Sequence, residues 1–133
     1  MPITAEQRTF LDQLHFAVVA TISADGSPQL TTLWYLREGD DLVFNTAVGR
    51  VKDRNLRRDP RLAATILSAD GYHFITVKGV VTLDEDSGQE TIHRLAVRYH
   101  GPEEAARMMQ AQFSQEQRVT IRLPIHHVFS NGV

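Results

Sequence analysis

The sequence contains no cysteine. That absence removes disulfides, thiolate nucleophiles and the usual zinc fingers together. Long apolar runs are missing as well. The longest, Phe16–Ile22 and Val80–Leu83, fall far short of the ~20 residues that a membrane helix needs. The opening Met1-Pro2-Ile3-Thr4-Ala5-Glu6 has no basic n-region and no signal-type apolar core, so a soluble cytoplasmic protein without membrane contact is expected. Lysine is scarce. Of the 14 basic residues 12 are arginine, which suits bidentate contact with phosphate or carboxylate.

Catalytic motifs are absent too. There is no Gly-x-Ser-x-Gly and no HExxH spacing. The histidines are scattered at His15, His73, His93, His100, His126 and His127. The adjacent pair His126 and His127 would face opposite sides of a strand, so no metal site is expected. An enzyme built from this chain would take its reactivity from a bound cofactor. Trp34 and Tyr35 are available either to contact a flat ring or to fill a core.

What is present suffices for one domain over residues 1–133, with hydrophobic residues at 42%. A domain this small buries a modest share of its surface, which favours a partner subunit. The net charge of −2 hides an uneven distribution. Six basic residues fall between Arg50 and Arg61, opposed there only by Asp53 and Asp59. The overall charge and the lack of a second basic surface argue against nucleic-acid binding. Arg57, Arg58 and Arg61 read as a solvated helix face, with Asp53 and Arg57 paired at i, i+4.

Periodicity and turn signals define about six strands and four helices. Thr4 and Gln7 form a capping box that opens a helix over 4–14. Phe16–Ser23, Pro28–Leu36 and Leu42–Thr46 read as an antiparallel meander, with Asp25-Gly26 at the first turn. Both faces of Pro28–Leu36 carry apolar residues, as in a strand covered on both sides. A helix over 50–59 stops before Pro60. Leu62–Ser68 and a long strand Tyr72–Leu83 follow, with Gly79 marking a bulge or a close backbone approach. Ser87 and Glu90 form a second capping box, Gly101-Pro102 opens a further helix, and Glu116–Leu123 and Ile125–Ser130 close the chain as strands. Hairpins dominate, which means an antiparallel barrel or sandwich with helices, not a doubly wound parallel sheet.

The strongest local feature is Asn45-Thr46-Ala47-Val48-Gly49-Arg50-Val51-Lys52. A strand ends, glycine permits a tight loop, and a helix opens with Arg50 and Lys52 in its first turn. Free backbone N–H groups and the helix dipole there favour an anion, and the Thr46 hydroxyl can add a donor. These residues read either as a phosphate cradle or as ordinary surface charge.

The segments Ala20-Thr21-Ile22, Asp25-Gly26-Ser27-Pro28-Gln29-Leu30, Trp34-Tyr35 and Lys52-Asp53-Arg54-Asn55-Leu56-Arg57-Arg58-Asp59-Pro60-Arg61 resemble the split β-barrel flavin- and deazaflavin-binding superfamily. That superfamily includes the pyridoxamine 5′-phosphate oxidases. Within it, the chain is most similar to the branch that uses coenzyme F-420, an 8-hydroxy-5-deazaflavin. The resemblance implies an α+β fold: a six-stranded antiparallel split β-barrel with flanking helices, forming a homodimer with cofactor at the subunit interface. It implies a phosphate grip at Thr46, Ala47, Arg50 and Lys52. The ring would lie along Gln29, Leu30, Thr31, Thr32, Leu33 and Trp34, with Tyr72 and His73 of a second copy closing the pocket. The implied reaction is hydride transfer from reduced F-420 to a small unsaturated substrate. FMN is the alternative cofactor, and a non-catalytic cofactor or tetrapyrrole binder the alternative role. The arginines Arg54, Arg57 and Arg58 would suit a polyglutamate tail. No arginine-bearing segment follows Val133, so vitamin B6 oxidation is not expected.

Overall fold

The computed structural model describes residues 3–133. The element order is α1 (Ala5–Asp12), β1 (Phe16–Ile22), β2 (Pro28–Leu33), β3 (Leu36–Glu38), β4 (Asp41–Ala47), α2 (Val51–Arg58), β5 (Arg61–Leu67), β6 (Phe74–Val80), β7 (Thr82–Asp84), α3 (Gly88–His100), α4 (Pro102–Ala111), β8 (Arg118–Pro124) and β9 (Val128–Asn131). A single 3₁₀ turn, Phe113–Gln115, joins α4 to β8.

The expectation of an α+β fold with antiparallel pairing and four helices holds. The six-stranded barrel does not. Among the described residues nine strands form two sheets, ordered β2-β1-β5-β6-β9 and β3-β4-β8-β7, and these do not close on one another. The extra strands come from two places where the chain changes sheet. The stretch read as one strand, Pro28–Leu36, breaks at Trp34-Tyr35. There the Tyr35 N–H donates to the Tyr99 hydroxyl at 3.1 Å, and its carbonyl accepts from Arg98 Nε at 3.0 Å. Those backbone groups are held by α3 side chains, and the meander ends at β2. The stretch Tyr72–Leu83 breaks at Val81, whose N–H donates to the Pro60 carbonyl at 2.9 Å.

The main core lies between the sheets and includes Val19, Phe44, Ile66, Ile75, Ile121 and Leu123. Leu11 of α1 and Leu56 of α2 join it. A second cluster, Ile92, Ala96, Ala105 and Phe113, packs α3 and α4 together beside Trp34. The Thr4–Gln7 capping box forms as read, with both bonds at 3.0 Å. The box at Ser87 does not form, because the Ser87 hydroxyl donates instead to Thr120 Oγ1 at 2.8 Å. At Gly79 the ladder with β5 is unbroken, so the glycine serves a close approach: a β-carbon there would meet Leu123 Cδ1 at 3.2 Å. Gly88 is tighter, with a β-carbon placed 1.9 Å from the Arg118 carbonyl oxygen.

β2 is an edge strand, and its outer face is not covered within one chain: Leu30 is 67% exposed. The same outer sheet face leaves Phe16, Val18, Val80 and Phe129 exposed. Among the described residues no helix is long and apolar enough to cross a membrane.

Candidate functional site

The end of β4 and the start of α2 carry the densest concentration of buried charge. Gly49 turns the chain with φ of +90°, a conformation that side chains disfavour, and so lets α2 begin immediately after the strand. Arg50 is the N-cap, and no side chain caps the N–H groups of the first turn. Those donors and the positive end of the helix dipole therefore stay available to an anion.

Two adjacent residues in that turn are buried charges. Asp53 is fully matched: its Oδ2 accepts from the Gly49 N–H at 2.8 Å, and its Oδ1 accepts from Arg57 Nε at 2.7 Å. Lys52 is only 8% exposed and makes no hydrogen bond or ion pair among the described residues. Burial pushes its pKa below the ordinary lysine value, and the guanidinium groups of Arg50 and Arg118 push it the same way. The lysine stem is covered, but its ammonium, crowded by two other cations, reaches a cavity open to solvent, where an anion could join it.

Among the described residues Glu116 is the carboxylate that pairs with both Arg50 and Arg118. It accepts from Arg50 Nη2 and from Arg118 Nη1, each at 2.8 Å. Arg118 is buried, bonded to Asn45 Oδ1 at 2.9 Å, and lies over the Phe113 ring at 5.0 Å. Burial lowers its pKa and Glu116 opposes that shift. Two arginines share one carboxylate, and Lys52 is left without a partner among the described residues.

Gln29, Arg50 and Lys52 line a single cavity of about 370 Å³ together with Gly49, Val51 and Arg54. Thr32, Leu33 and Trp34 line a smaller cavity of about 190 Å³ that also takes in Asn45 and Arg118. Glu116, bonded to both Arg50 and Arg118, connects the two. Thr31 Oγ1 is buried with no hydrogen-bond partner among the described residues. Thr46 and Ala47 are buried in β4 and line neither cavity. Leu30 points to the exposed outer face of β2. Tyr72 and His73 sit in the exposed β5–β6 turn, and His73 lines a separate cavity with Phe10, His15 and Gly132. One chain thus unites Gln29, Arg50 and Lys52 but not Tyr72 and His73.

The remaining arginines are already engaged. Arg54 donates to the Gly49 carbonyl at 2.8 Å while also lining the first cavity. Arg57 pairs with Asp53 and Glu85, and Arg61 with Asp59. Asn45 lies in the segment the sequence singles out, but no role is read there for Arg118 or Glu116. The available signal was an arginine inside a strand whose neighbours alternate with apolar residues.

The match to the family of pyridoxamine 5′-phosphate oxidase covers residues 3–130, and the chain belongs to that family. Solved structures agree. A protein named F420 reductase is 25% identical, with a TM-score of 0.75 over 97% of this chain and 98% of its own. A conserved hypothetical protein from Mycobacterium tuberculosis is 28% identical, with a TM-score of 0.79 over 98% of this chain and 85% of its own. The heme storage protein HutZ from Vibrio cholerae is 17% identical, with a TM-score of 0.72 over 99% and 96%, which shows the shared fold alone.

Proposed function

We propose that this protein is an oxidoreductase that uses the deazaflavin coenzyme F-420 to reduce a small unsaturated substrate. The observation that carries the reading is Lys52, a largely covered lysine with no ion-pair partner among the described residues, lining the cavity at the uncapped first turn of α2. A phosphate monoester or diester is the group that such a turn accepts. Lys52, Arg50 and the first-turn N–H groups would hold it. The free backbone edge of β2 would offer polar groups to the edge of a ring. The kinship with a protein named F420 reductase across nearly the whole chain supports the deazaflavin over other phosphate-bearing cofactors.

When bound in its reduced form, the deazaflavin supplies a hydride, and the substrate takes the matching proton from solvent or a polar side chain. The chain itself supplies no nucleophile to this chemistry. It binds the phosphate, orients the ring and excludes water, which is the work that cofactor enzymes leave to the protein. FMN is the second reading, because it too carries a ring, a ribityl chain and a phosphate, and the grip at Lys52 suits both.

A homodimer completes the proposal. The exposed residues Val18, Leu30, Val80 and Phe129 share one sheet face, and an apolar cavity of about 460 Å³ lined by Ala20, Ile22, Pro28 and Val80 opens on it. A second copy covering this face would bring its own Tyr72 or His73 turn toward the β2 edge. The functional test follows oxidation of reduced F-420 by its absorbance across a panel of enones, quinones and biliverdin. Turnover of at least one acceptor is expected. Binding of the coenzyme without turnover of any acceptor would instead make the protein a cofactor carrier.

A further inference from the structure

A line of hydrogen bonds runs from the far end of α2 to the cavity that Lys52 lines. Arg58 Nη2 donates to Asn55 Oδ1 at 2.9 Å, and also to the Ile22 carbonyl at 2.8 Å. Asn55 Nδ2 donates to Thr21 Oγ1 at 3.1 Å. Thr21 Oγ1 donates to Gln29 Oε1 at 3.3 Å. Asn55 and Thr21 are both buried. The direction of this line is not arbitrary. A guanidinium has donors and no acceptor, so Arg58 forces the Asn55 oxygen toward itself. The Asn55 amide must then donate to Thr21. Thr21, having accepted, gives its one proton to Gln29, whose oxygen is thereby occupied. Gln29 Nε2, with no partner among the described residues, is what remains to face the cavity.

We infer that Arg58, Asn55 and Thr21 form a polarity relay that fixes Gln29 as a hydrogen-bond donor to the anion held by Lys52 and Arg50. The inference rests on the proposed phosphate grip and adds a further member to it. The relay assigns a role to Arg58, which is exposed and reads from the sequence as a surface charge. It also explains a buried asparagine and threonine on facing elements: an apolar pair would pack α2 on β1 equally well but would leave Gln29 free to present either its oxygen or its amide. A carbonyl oxygen turned into the cavity would repel an anion. Arg58, Asn55 and Thr21 are positioning residues, and only Gln29 touches the ligand.

The test uses the full chain labelled with ¹⁵N and inorganic phosphate as the probe. Addition of phosphate shifts the Gln29 side-chain amide signals of the wild type. Gln29→Leu weakens phosphate binding about tenfold, as expected for loss of one hydrogen bond to a charged group. Asn55→Asp weakens it by a similar factor, because the new carboxylate takes the Thr21 proton and turns the Gln29 oxygen into the cavity. The double variant binds no more weakly than Gln29→Leu alone, since both changes act through one amide. Should Asn55→Asp fold poorly, Thr21→Ser retains the wild-type affinity and Thr21→Val, which leaves Gln29 free to present either end, loses about twofold. The relay is overturned when Asn55→Asp costs the same factor with and without Gln29, when Thr21→Val equals wild type, or when the Gln29 amide ignores phosphate. A wild type that binds phosphate but neither F-420 nor FMN removes the proposed cofactor and leaves the relay standing.

Discussion

Lys52 and Asp53 are neighbours in the first turn of α2, both more than nine-tenths buried, and only Asp53 is neutralised by the protein. The aspartate organises the loop: it ties the Gly49 N–H to α2 and anchors Arg57. The lysine packs its stem, but its ammonium makes no hydrogen bond or ion pair among the described residues. Its charge is held near Arg50 and Arg118, which lower its pKa, and a bound anion would offset that repulsion. This division makes the site testable, because the two residues should respond to substitution in opposite ways.

Lys52→Met should stabilise the ligand-free protein by about 1 kcal/mol or less, through loss of a partly desolvated charge crowded by Arg50 and Arg118. The same change should weaken cofactor binding at least about tenfold. Thermal unfolding with and without cofactor measures both. A pH dependence accompanies it. The folded pKa of Lys52 lies below its unfolded value near 10.5, so between the two the unfolded chain holds more protons. Wild-type stability should therefore gain a contribution as pH rises through that alkaline window, and Lys52→Met should lack it.

Lys52→Ala should reduce cofactor affinity far more than Arg61→Ala. Arg61 lies on β5 and is paired with Asp59, away from the α2 first turn. Equal losses in a fluorescence titration would show that the anion is not gripped at the helix N-terminus.

The basic segment also shows what the sequence could and could not convey. The first turn of α2 was legible because glycine, a strand end and two cations in order constrain the backbone locally. The Asp53–Arg57 pair was legible from its i, i+4 spacing. Arg118 was not, since it reaches the site through β8, whose pairing with β4 joins residues some seventy positions apart. The sheet switch at Tyr35 was hidden for the same reason. Its backbone is held by Arg98 and Tyr99, and nothing near residue 35 reports them. The capping pattern at Ser87 matched the motif but lost to a hydroxyl on β8.

Gly88 should tolerate no side chain. A β-carbon there would lie 1.9 Å from the Arg118 carbonyl, so α3 would have to move away from β8. Gly88→Ala should cost about 3 kcal/mol or more in urea denaturation. Gly79→Ala, which meets only the tip of Leu123 at 3.2 Å, should cost about 1 kcal/mol or less.

Acid should act through Glu38. It is bonded to Arg94 and to Arg122, and both hold its carboxyl below the ordinary glutamate range. A carboxylate depressed in the folded state adds stability above its unfolded pKa and loses it as pH falls through the folded value. Urea midpoints measured from pH 7 down to pH 3 should therefore fall less steeply below about pH 4.5 in Glu38→Gln than in wild type.

Val18→Asp places a charge in the middle of the exposed sheet face. The side chain is solvent-accessible in one chain, so the fold should survive. Light scattering should report a dimer for the wild type and a monomer for Val18→Asp, and cofactor affinity should fall with the loss of the second copy. A wild type that is already monomeric at high concentration would remove the second copy from the account.

The most direct measurement is parallel titration of the purified wild type with coenzyme F-420 and with FMN, followed by fluorescence. Micromolar or tighter binding of F-420, lost in Lys52→Ala, is the predicted result. Micromolar binding of FMN with none of the deazaflavin would contradict it.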